Sequence, residues 1–394
     1  MRAVTALLAR LLGRQPIGWL QLTHHRARLA TALAGVAFAN LLVFMQLGFF
    51  GALVASIAIP YDGMNSDILV QSSDANTLQD GSPIPRNRML QAAAVPGVAS
   101  ATAVYCGRIE WKQPDGTVRN VDVLGIDPLA HALRSPEVAR QLPDLALADI
   151  ALIDRRTRNV PLALFDEIDA GHAYRIEANN RGITIAGTFI LGGGFGADGY
   201  IVVSDQTFLR IFRNRSAGAP NYVLLRALPG EAVPALAARL NARLASGDVV
   251  VRTMAEAVAK DQEFQTTQKP AGIIFGFGTF IGALVGIVIV YQILATDVAD
   301  HLKEYATFKA IGYRQRFFLG IVLEEAVILG VLGFVPGLLF SLGLYAVIAA
   351  ATGLPLSMTM ARALAVLAGT IVMSVISGLI ATRRLAQADP AELF

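Results

Sequence analysis

Four long apolar runs constrain this chain more than any other feature of its sequence. They cover residues 29–59, 271–295, 317–350 and 361–382. A helix needs about 20 mostly apolar residues to cross the hydrocarbon core of a bilayer. Because a segment in lipid must satisfy all its backbone hydrogen bonds internally, such runs are expected to be helical. The sequence therefore predicts a membrane protein with four transmembrane helices.

The composition agrees with this prediction. The chain is 54% hydrophobic and 16% charged, with a mean hydropathy of +0.52, whereas soluble domains carry about 25% charged residues. The net charge of +3 is too small to indicate a nucleic-acid partner. The first run is longer than the core of a signal peptide, which has about 7–15 residues. With Cys106 as its one cysteine, the chain cannot form an intramolecular disulfide.

Residues 60–268, between the first and second runs, have the pattern of an α+β domain. Asp115-Gly116 separates two strand-like runs and predicts a hairpin turn. The strand-like runs are 67–71, 101–111, 118–126, 173–178, 183–190, 200–204 and 221–228, and the helix-like runs are 86–94, 206–212 and 231–245. The predicted fold is a membrane α-helical protein with an α+β domain inserted between helices 1 and 2.

This domain shows no catalytic pattern in its sequence. The glycine-rich run 192–196 lacks the Lys-Ser/Thr of a phosphate-binding Walker A loop, and it is interpreted as a turn between strands. His131 and His172 have no other metal-ligand residue at suitable spacing. Asp166-Glu167 is interpreted as solvated charge in a loop. We therefore expect a binding and assembly module, not an enzyme, with no metal and no cofactor of its own.

The segment 296–316 turns abruptly polar after the second apolar run. It keeps an apolar stripe at helical spacing that includes Val298, Leu302 and Tyr305. Gly312 offers a helix stop. Two interpretations stay open from these residues: a short amphipathic helix that receives a push from a soluble partner, or a solvated loop between two spans.

Basic residues predict the orientation in the membrane. Lysines and arginines lie in the N-terminal segment 1–28, in 296–316 and in the tail 383–394, whereas the loop 351–360 has no charge. The positive-inside rule then places both termini and 296–316 in the cytoplasm and the domain 60–268 outside. The N-terminal segment is amphipathic and is suited to the membrane interface.

Glycine and proline positions predict how the spans pack. A small residue at every fourth position lets two helices approach closely. We expect this at Gly272, Gly276, Gly278, Gly282 and Gly286. Pro336 predicts a kink in the third span. Glu324 and Glu325 lie near the start of that span, and either an intramembrane functional site or a position at the interface is possible.

One stretch of this sequence resembles a known family. YQILATDVADHLKEYATFKAIGY (291–313) resembles the signature of DevC-type permeases, in the MacB/FtsX/LolC superfamily of ABC transporter membrane subunits. Residues 179–211 resemble the extracytoplasmic segment of the family, and 333–345, 351–358 and 388–394 resemble its C-terminal third. The resemblance implies that the outer domain has two subdomains, one built from the flanking parts 60–100 and 220–268 and the other from the middle.

The resemblance also implies a function. Two copies of the chain would pair with two separate ABC ATPase subunits, which bind ATP and Mg²⁺, in a bacterial inner membrane. A coupling helix over 297–312 would contact the ATPase, and its candidate residues are Asp300, His301, Lys303, Glu304, Tyr305, Phe308 and Lys309. DevC-type systems export lipid or glycolipid with a membrane-fusion adaptor and a TolC-like outer-membrane protein. The alternative is an FtsX-like relay that activates a periplasmic cell-wall hydrolase without transport.

Overall fold

A computed structural model describes residues 10, 15–24, 26–113, 116–245 and 247–387, without the side chains of residues 303, 306, 310 and 383–387. Residues 1–9 and 11–14 of the N-terminal segment, Asp115 of the expected hairpin, and 388–394 of the tail lie outside this description. Contacts divide the chain into two compact units. The membrane unit is Met1–Gly51, Ile273–Ile348 and Leu356–Phe394, and the sheet unit is Ala52–Gly272 and Ala349–Pro355.

Long apolar helices dominate the described chain outside the inserted domain. Four helices have the length and hydropathy to cross a membrane, Arg26–Gly63, Pro270–Asp300, Gln315–Thr352 and Met360–Thr382, which confirms the predicted number. In chain order the helices are α1 (Ile17–His24), α2 (Arg26–Gly63), α3 (Asn87–Ala93), α4 (Pro136–Leu145), α5 (Leu162–Asp169), α6 (Asp205–Ile211), α7 (Val233–Arg243), α8 (Met254–Thr267), α9 (Pro270–Asp300), α10 (Leu302–Ala310), α11 (Gln315–Thr352) and α12 (Met360–Gln387).

A nine-stranded mixed sheet forms the centre of the sheet unit. Its order is β5-β6-β4-β7-β3-β2-β8-β1-β9. The strands are β1 (Ile68–Ser72), β2 (Val98–Lys112), β3 (Val118–Ile126), β4 (Ile150–Asp154), β5 (Tyr174–Ala178), β6 (Arg181–Phe189), β7 (Gly199–Ser204), β8 (Tyr222–Ala227) and β9 (Val249–Thr253). This confirms the α+β domain between the first two spans. The sequence analysis missed β4 and β9.

The long strand β2 connects the two halves of this sheet. It pairs with β8 from Val98 to Val104 and with β3 from Val104 to Lys112, antiparallel in both cases. One hydrophobic core lies on each half, the first around Phe165 and Phe208 and the second around Leu236. The resemblance implied two subdomains, whereas the described chain has two cores on one continuous sheet.

The carboxylate pair Asp166-Glu167 does not lie in a loop as expected, because it belongs to α5. Pro161 precedes this helix, and its apolar side chains Phe165 and Ile168 are buried. The arginines after β4 make contacts within the sheet unit. Arg155 contacts Asp169 at 2.8 Å, and Arg158 donates to the carbonyl of Ala197 at 2.9 Å. They stabilise the fold of the sheet unit.

Glycines provide close helix contacts in the membrane unit, but only some of the expected ones do so. A Cβ at Gly282 would meet Val43 at 3.1 Å, at Gly286 it would meet Met373 at 3.3 Å, and at Gly278 it would meet Gln46 at 2.5 Å. Gly276 has open space around it within one chain, so its expected packing, against the first span or a second copy, stays a prediction. Gly272 is crowded by the backbone of Gln265 and Thr266, in the last turn of α8.

Another close contact of this kind is between α11 and α2. A Cβ at Gly333 would lie 2.6 Å from the Cβ of Val36, and one at Gly337 would lie 2.9 Å from the Cβ of Asn40. Pro336 lies between these glycines, inside one continuous helix. The α11 and α2 backbones therefore approach each other beside Pro336, and a bend at that residue stays a prediction.

Candidate functional site

The polar segment after the second span does not form the single helix 297–312 that was expected. The span helix α9 continues to Asp300 and so includes Asp297. His301 has φ −95° and ψ 10°, outside the range of a regular α-helix. The separate helix α10 then begins at Leu302. Asp297 and Asp300 are thus the last turn of a span and not the first turn of the coupling helix.

Gly312 ends α10 as the sequence predicts. Its φ is +106°, a conformation that glycine adopts without strain. The N–H of Tyr313 donates to the carbonyl of Phe308, and the N–H of Gly312 donates to that of Lys309, both at 3.1 Å. The rings of Tyr313 and Phe308 lie edge to face, with centroids 5.7 Å apart. These bonds and this apolar contact form a Schellman motif, which fixes the end of the helix.

The inner face of α10 is anchored by Tyr305. Its side chain is 2% exposed, and its ring packs on Phe318 of α11 with centroids 5.6 Å apart. Its hydroxyl donates to Gln21 Oε1 of α1 at 3.4 Å. Burial raises the pKa of Tyr305 well above its ordinary value, so the phenol stays protonated. The expectation that Tyr305 contacts a partner is therefore wrong, because the side chain is used inside the membrane unit.

Arg28 connects the start of α2 to the end of α9. Its guanidinium contacts Asp300 Oδ2 at 2.5 Å and Asp297 Oδ1 at 3.4 Å. The Nδ1 atom of His301 lies 3.0 Å from the backbone carbonyl of Asp297. Asp300 and His301 are therefore engaged in local contacts, which leaves them poorly suited to the partner contacts expected of them.

Two carboxylates of α11 lie deep among these helices. Glu324 is 9% exposed and accepts a hydrogen bond from the backbone N–H of Trp19 at 3.3 Å. Glu325 is fully buried, and neither of its oxygens has a hydrogen-bond partner among the described residues. A Cβ at Gly18 would lie 2.7 Å from Glu325 Cγ. Since α11 begins at Gln315, both glutamates lie inside the helix, and both alternatives for their position in the membrane stay predictions.

The outer face of α10 and its C-terminal turn form an exposed tip. Glu304 is exposed there, and Phe308, Ile311 and Tyr313 are 38%, 70% and 46% exposed. Glu304, Phe308 and Lys309 were expected in this role, and the side chain of Lys303 lies outside the described part of the chain. Ile311 and Tyr313 were missed. Apolar residues on both sides of a helix-ending glycine were the available signal for them.

Comparison with known proteins gives one family match. Residues 276–390 match the FtsX-like permease C-terminal family. No curated protein sequence matches the chain.

Three solved structures resemble the chain weakly. The periplasmic region of MacB from Actinobacillus actinomycetemcomitans is 7% identical, with a TM-score of 0.33, over 50% of this chain and 92% of that one. The extracellular domain of the noncanonic ABC-type transporter YknZ from Gram-positive bacteria is 12% identical, with a TM-score of 0.31, over 48% and 98%. A permease domain from Porphyromonas gingivalis is 16% identical, with a TM-score of 0.32, over 49% and 91%. At these scores the likeness carries no functional argument.

The matched segment 276–390 includes most of α9, all of α10 and α11, and most of α12. The anchored helix α10 and its exposed tip therefore lie within a domain typical of permease subunits. By this match, residues 276–390 are similar to the C-terminal domain of FtsX-like permeases.

Proposed function

We propose that this chain is the membrane subunit of an ATP-driven complex, in which α10 is the contact site for a separate ABC ATPase. The exposed tip of α10, formed by Glu304, Phe308, Ile311 and Tyr313, is the observation that carries the proposal. Protein interfaces favour aromatic residues with a polar rim, and the tip has this composition. ATP and Mg²⁺ would bind to the ATPase and not to this chain.

The contacts on the inner face of α10 are suited to transmit a displacement of the tip to the membrane helices. Tyr305 contacts Phe318 of α11 and Gln21 of α1, and Arg28 contacts Asp297 and Asp300 at the end of α9. A displacement of α10 would have to move these helices or break their contacts, because closely packed interiors transmit strain. This is the behaviour required of a coupling helix.

The orientation follows from charge in the short connections. Arg314 and Arg316 follow α10, whereas the connection 353–359 between α11 and α12 carries no charge. The positive-inside rule then places α10 and both termini in the cytoplasm and the sheet unit outside a bacterial inner membrane.

Two copies of the chain would work with two ATPases. This complex would export a lipid or glycolipid through a membrane-fusion adaptor and a TolC-like outer-membrane duct, as the DevC resemblance implies.

Affinity purification of the full-length chain from gently solubilised membranes tests this proposal. The double variant Glu304→Arg, Lys309→Glu reverses two charges of α10, and we expect at least about a tenfold loss of co-purified ATPase, which is about 1.4 kcal/mol. The matched control Arg175→Glu, Glu177→Arg also reverses one acidic and one basic charge, on β5, and should retain the ATPase. Undiminished recovery with the α10 variant would contradict the contact site.

The partners recovered with the unaltered chain distinguish an exporter from an FtsX-like relay. An ATPase with a membrane-fusion adaptor supports export. An ATPase with a cell-wall hydrolase and no adaptor supports the FtsX-like relay. Absence of any ATPase from the unaltered complex refutes the proposed function.

A further inference from the structure

A polar cavity of about 430 Å³ lies in the sheet unit, beside β2, β3 and the C-terminal end of α8. Small-molecule sites in proteins have volumes of about 300–1,000 Å³, so this cavity is large enough for a ligand. Its side chains are mostly polar or charged. They are Thr77, Gln79, Asp80, Cys106, Arg108, Asp122, Arg215, Gln265 and Lys269.

The acidic side chains of the cavity are occupied by contacts within the protein. Asp122 is 1% exposed and accepts from Arg108 Nε at 2.8 Å and from the amide of Gln79. Asp80 accepts from the backbone N–H groups of Asn76 and Thr77 at 2.8 and 2.6 Å. Neither carboxylate is therefore available to bind a cationic ligand.

Two cationic side chains of the cavity lack a carboxylate partner among the described residues. Arg215 donates to the backbone carbonyl of Cys106 at a long 3.5 Å. The Nζ atom of Lys269 lies 5.2 Å from the ring centroid of Phe264. Arginine and lysine are the usual ligands of phosphate groups, through charge-assisted hydrogen bonds. The unpaired charge in this cavity is therefore positive.

The glycine-rich run 192–196 forms part of the wall. It is the turn between β6 and β7 that the sequence predicts. A Cβ at Gly194 would clash with Ser56 at 2.7 Å, whereas at Gly196 the nearest atom would be Arg108 Nη2 at 4.0 Å. The last glycine therefore leaves open space at the cavity, while Gly194 packs against α2.

A smaller cavity of about 60 Å³ adjoins the polar one, because Thr77, Gln79, Gly196 and Gln265 line both. Its other side chains include the apolar Leu53, Ile57, Leu78 and Phe195. In sequence, Leu53 and Ile57 belong to the helix of the first span, and Lys269 immediately precedes the helix of the second. A polar cavity with two cations that lack a carboxylate partner in the described part of the chain fits a molecule with an anionic group.

We infer that the cavity binds a compound with a terminal phosphate group, with Arg215 and Lys269 contacting the phosphate. The hydrogen-bonding side chains of Thr77 and Gln265 line the same space. This site does not depend on whether the complex exports a substrate or relays a motion.

Calorimetric titration of the full-length chain in a non-ionic detergent tests the site. The probes are dihexanoyl phosphatidic acid, dihexanoyl phosphatidylcholine and inorganic phosphate. We expect the phosphatidic acid to bind, and the double variant Arg215→Gln, Lys269→Gln to weaken it at least about tenfold. The control Arg213→Gln removes an exposed charge two residues away from Arg215 and should change the affinity less than about twofold.

A steric variant provides an independent check. Gly196→Leu places a side chain in the cavity where the backbone has room for it, so we expect lost binding with an unchanged thermal unfolding temperature. Tighter binding of the lipid than of inorganic phosphate supports a lipid headgroup, and equal binding supports a soluble phosphate compound at the same site. Wild-type affinity in both the double variant and Gly196→Leu would overturn the inference, as would equal binding of phosphatidylcholine. Neither result depends on the ATPase.

Discussion

Tyr305 connects three helices through one side chain, and its sequence context contains conflicting signals. The family resemblance places it in a segment that contacts an ATPase, but the apolar stripe through Val298 and Leu302 points to a buried face. The buried interpretation is correct, since Tyr305 is 2% exposed. Helical periodicity predicts which side of α10 faces the protein, but it does not show which distant residues, here Phe318 and Gln21, lie opposite.

Substitution of Tyr305 should separate packing from hydrogen bonding. Tyr305→Ala removes the ring from a buried site, and we expect a loss of about 3 kcal/mol in the free energy of unfolding. Tyr305→Phe keeps the ring and removes only the hydrogen bond of 3.4 Å to Gln21. This change should lower the free energy of unfolding by under about 1 kcal/mol. Thermal unfolding of the full chain in detergent measures both. A similar loss for the two variants would contradict the anchoring role of the ring.

At the scale of elements, the helices were predicted better than their contacts. Long apolar runs are a local signal, and each became a helix. A GxxxG spacing is also local, but it does not tell which face meets another helix. Gly276 has open space, while Gly333 and Gly337, which were not singled out, lie against α2. Prediction of the right pair requires knowledge of the neighbouring helix.

The contact between α11 and α2 predicts a difference between two glycines of one helix. Gly333→Val should destabilise the chain by about 1–3 kcal/mol, because its Cβ would overlap Val36 at 2.6 Å. Gly343→Val is the matched control, since nothing lies within 4 Å of its added Cβ. The thermal unfolding temperature in detergent should be lower for Gly333→Val than for Gly343→Val. Equal temperatures would show that the helices do not approach closely at Gly333.

At the scale of the whole molecule, the fold class could be predicted and the sheet order could not. Strand β1 pairs with β8 and β9, more than 140 residues later in the chain, and no local pattern specifies such a pairing. The polar cavity could not be predicted from a local pattern either. Gln79, Arg108, Arg215 and Lys269 are far apart in sequence, so no motif spacing brings them together before the sheet forms.

If ATP-driven force enters through α10 as proposed, we expect it to move the sheet unit. Leu129 is 93% exposed in that unit, and burial raises the pKa of the native thiol, Cys106, to about 12. A Leu129→Cys variant therefore takes a spin label selectively, and the two copies of the proposed complex would give one distance between labels. The label is read by pulsed electron paramagnetic resonance in the complex co-purified with its ATPase.

The distance between the two labels, with and without ATP and vanadate, tests the claim most directly. We predict that trapping the ATPase with vanadate shifts the distance distribution, and that the shift disappears when Glu304→Arg and Lys309→Glu are added. An unchanged distribution in a complex that retains an active ATPase would contradict the account.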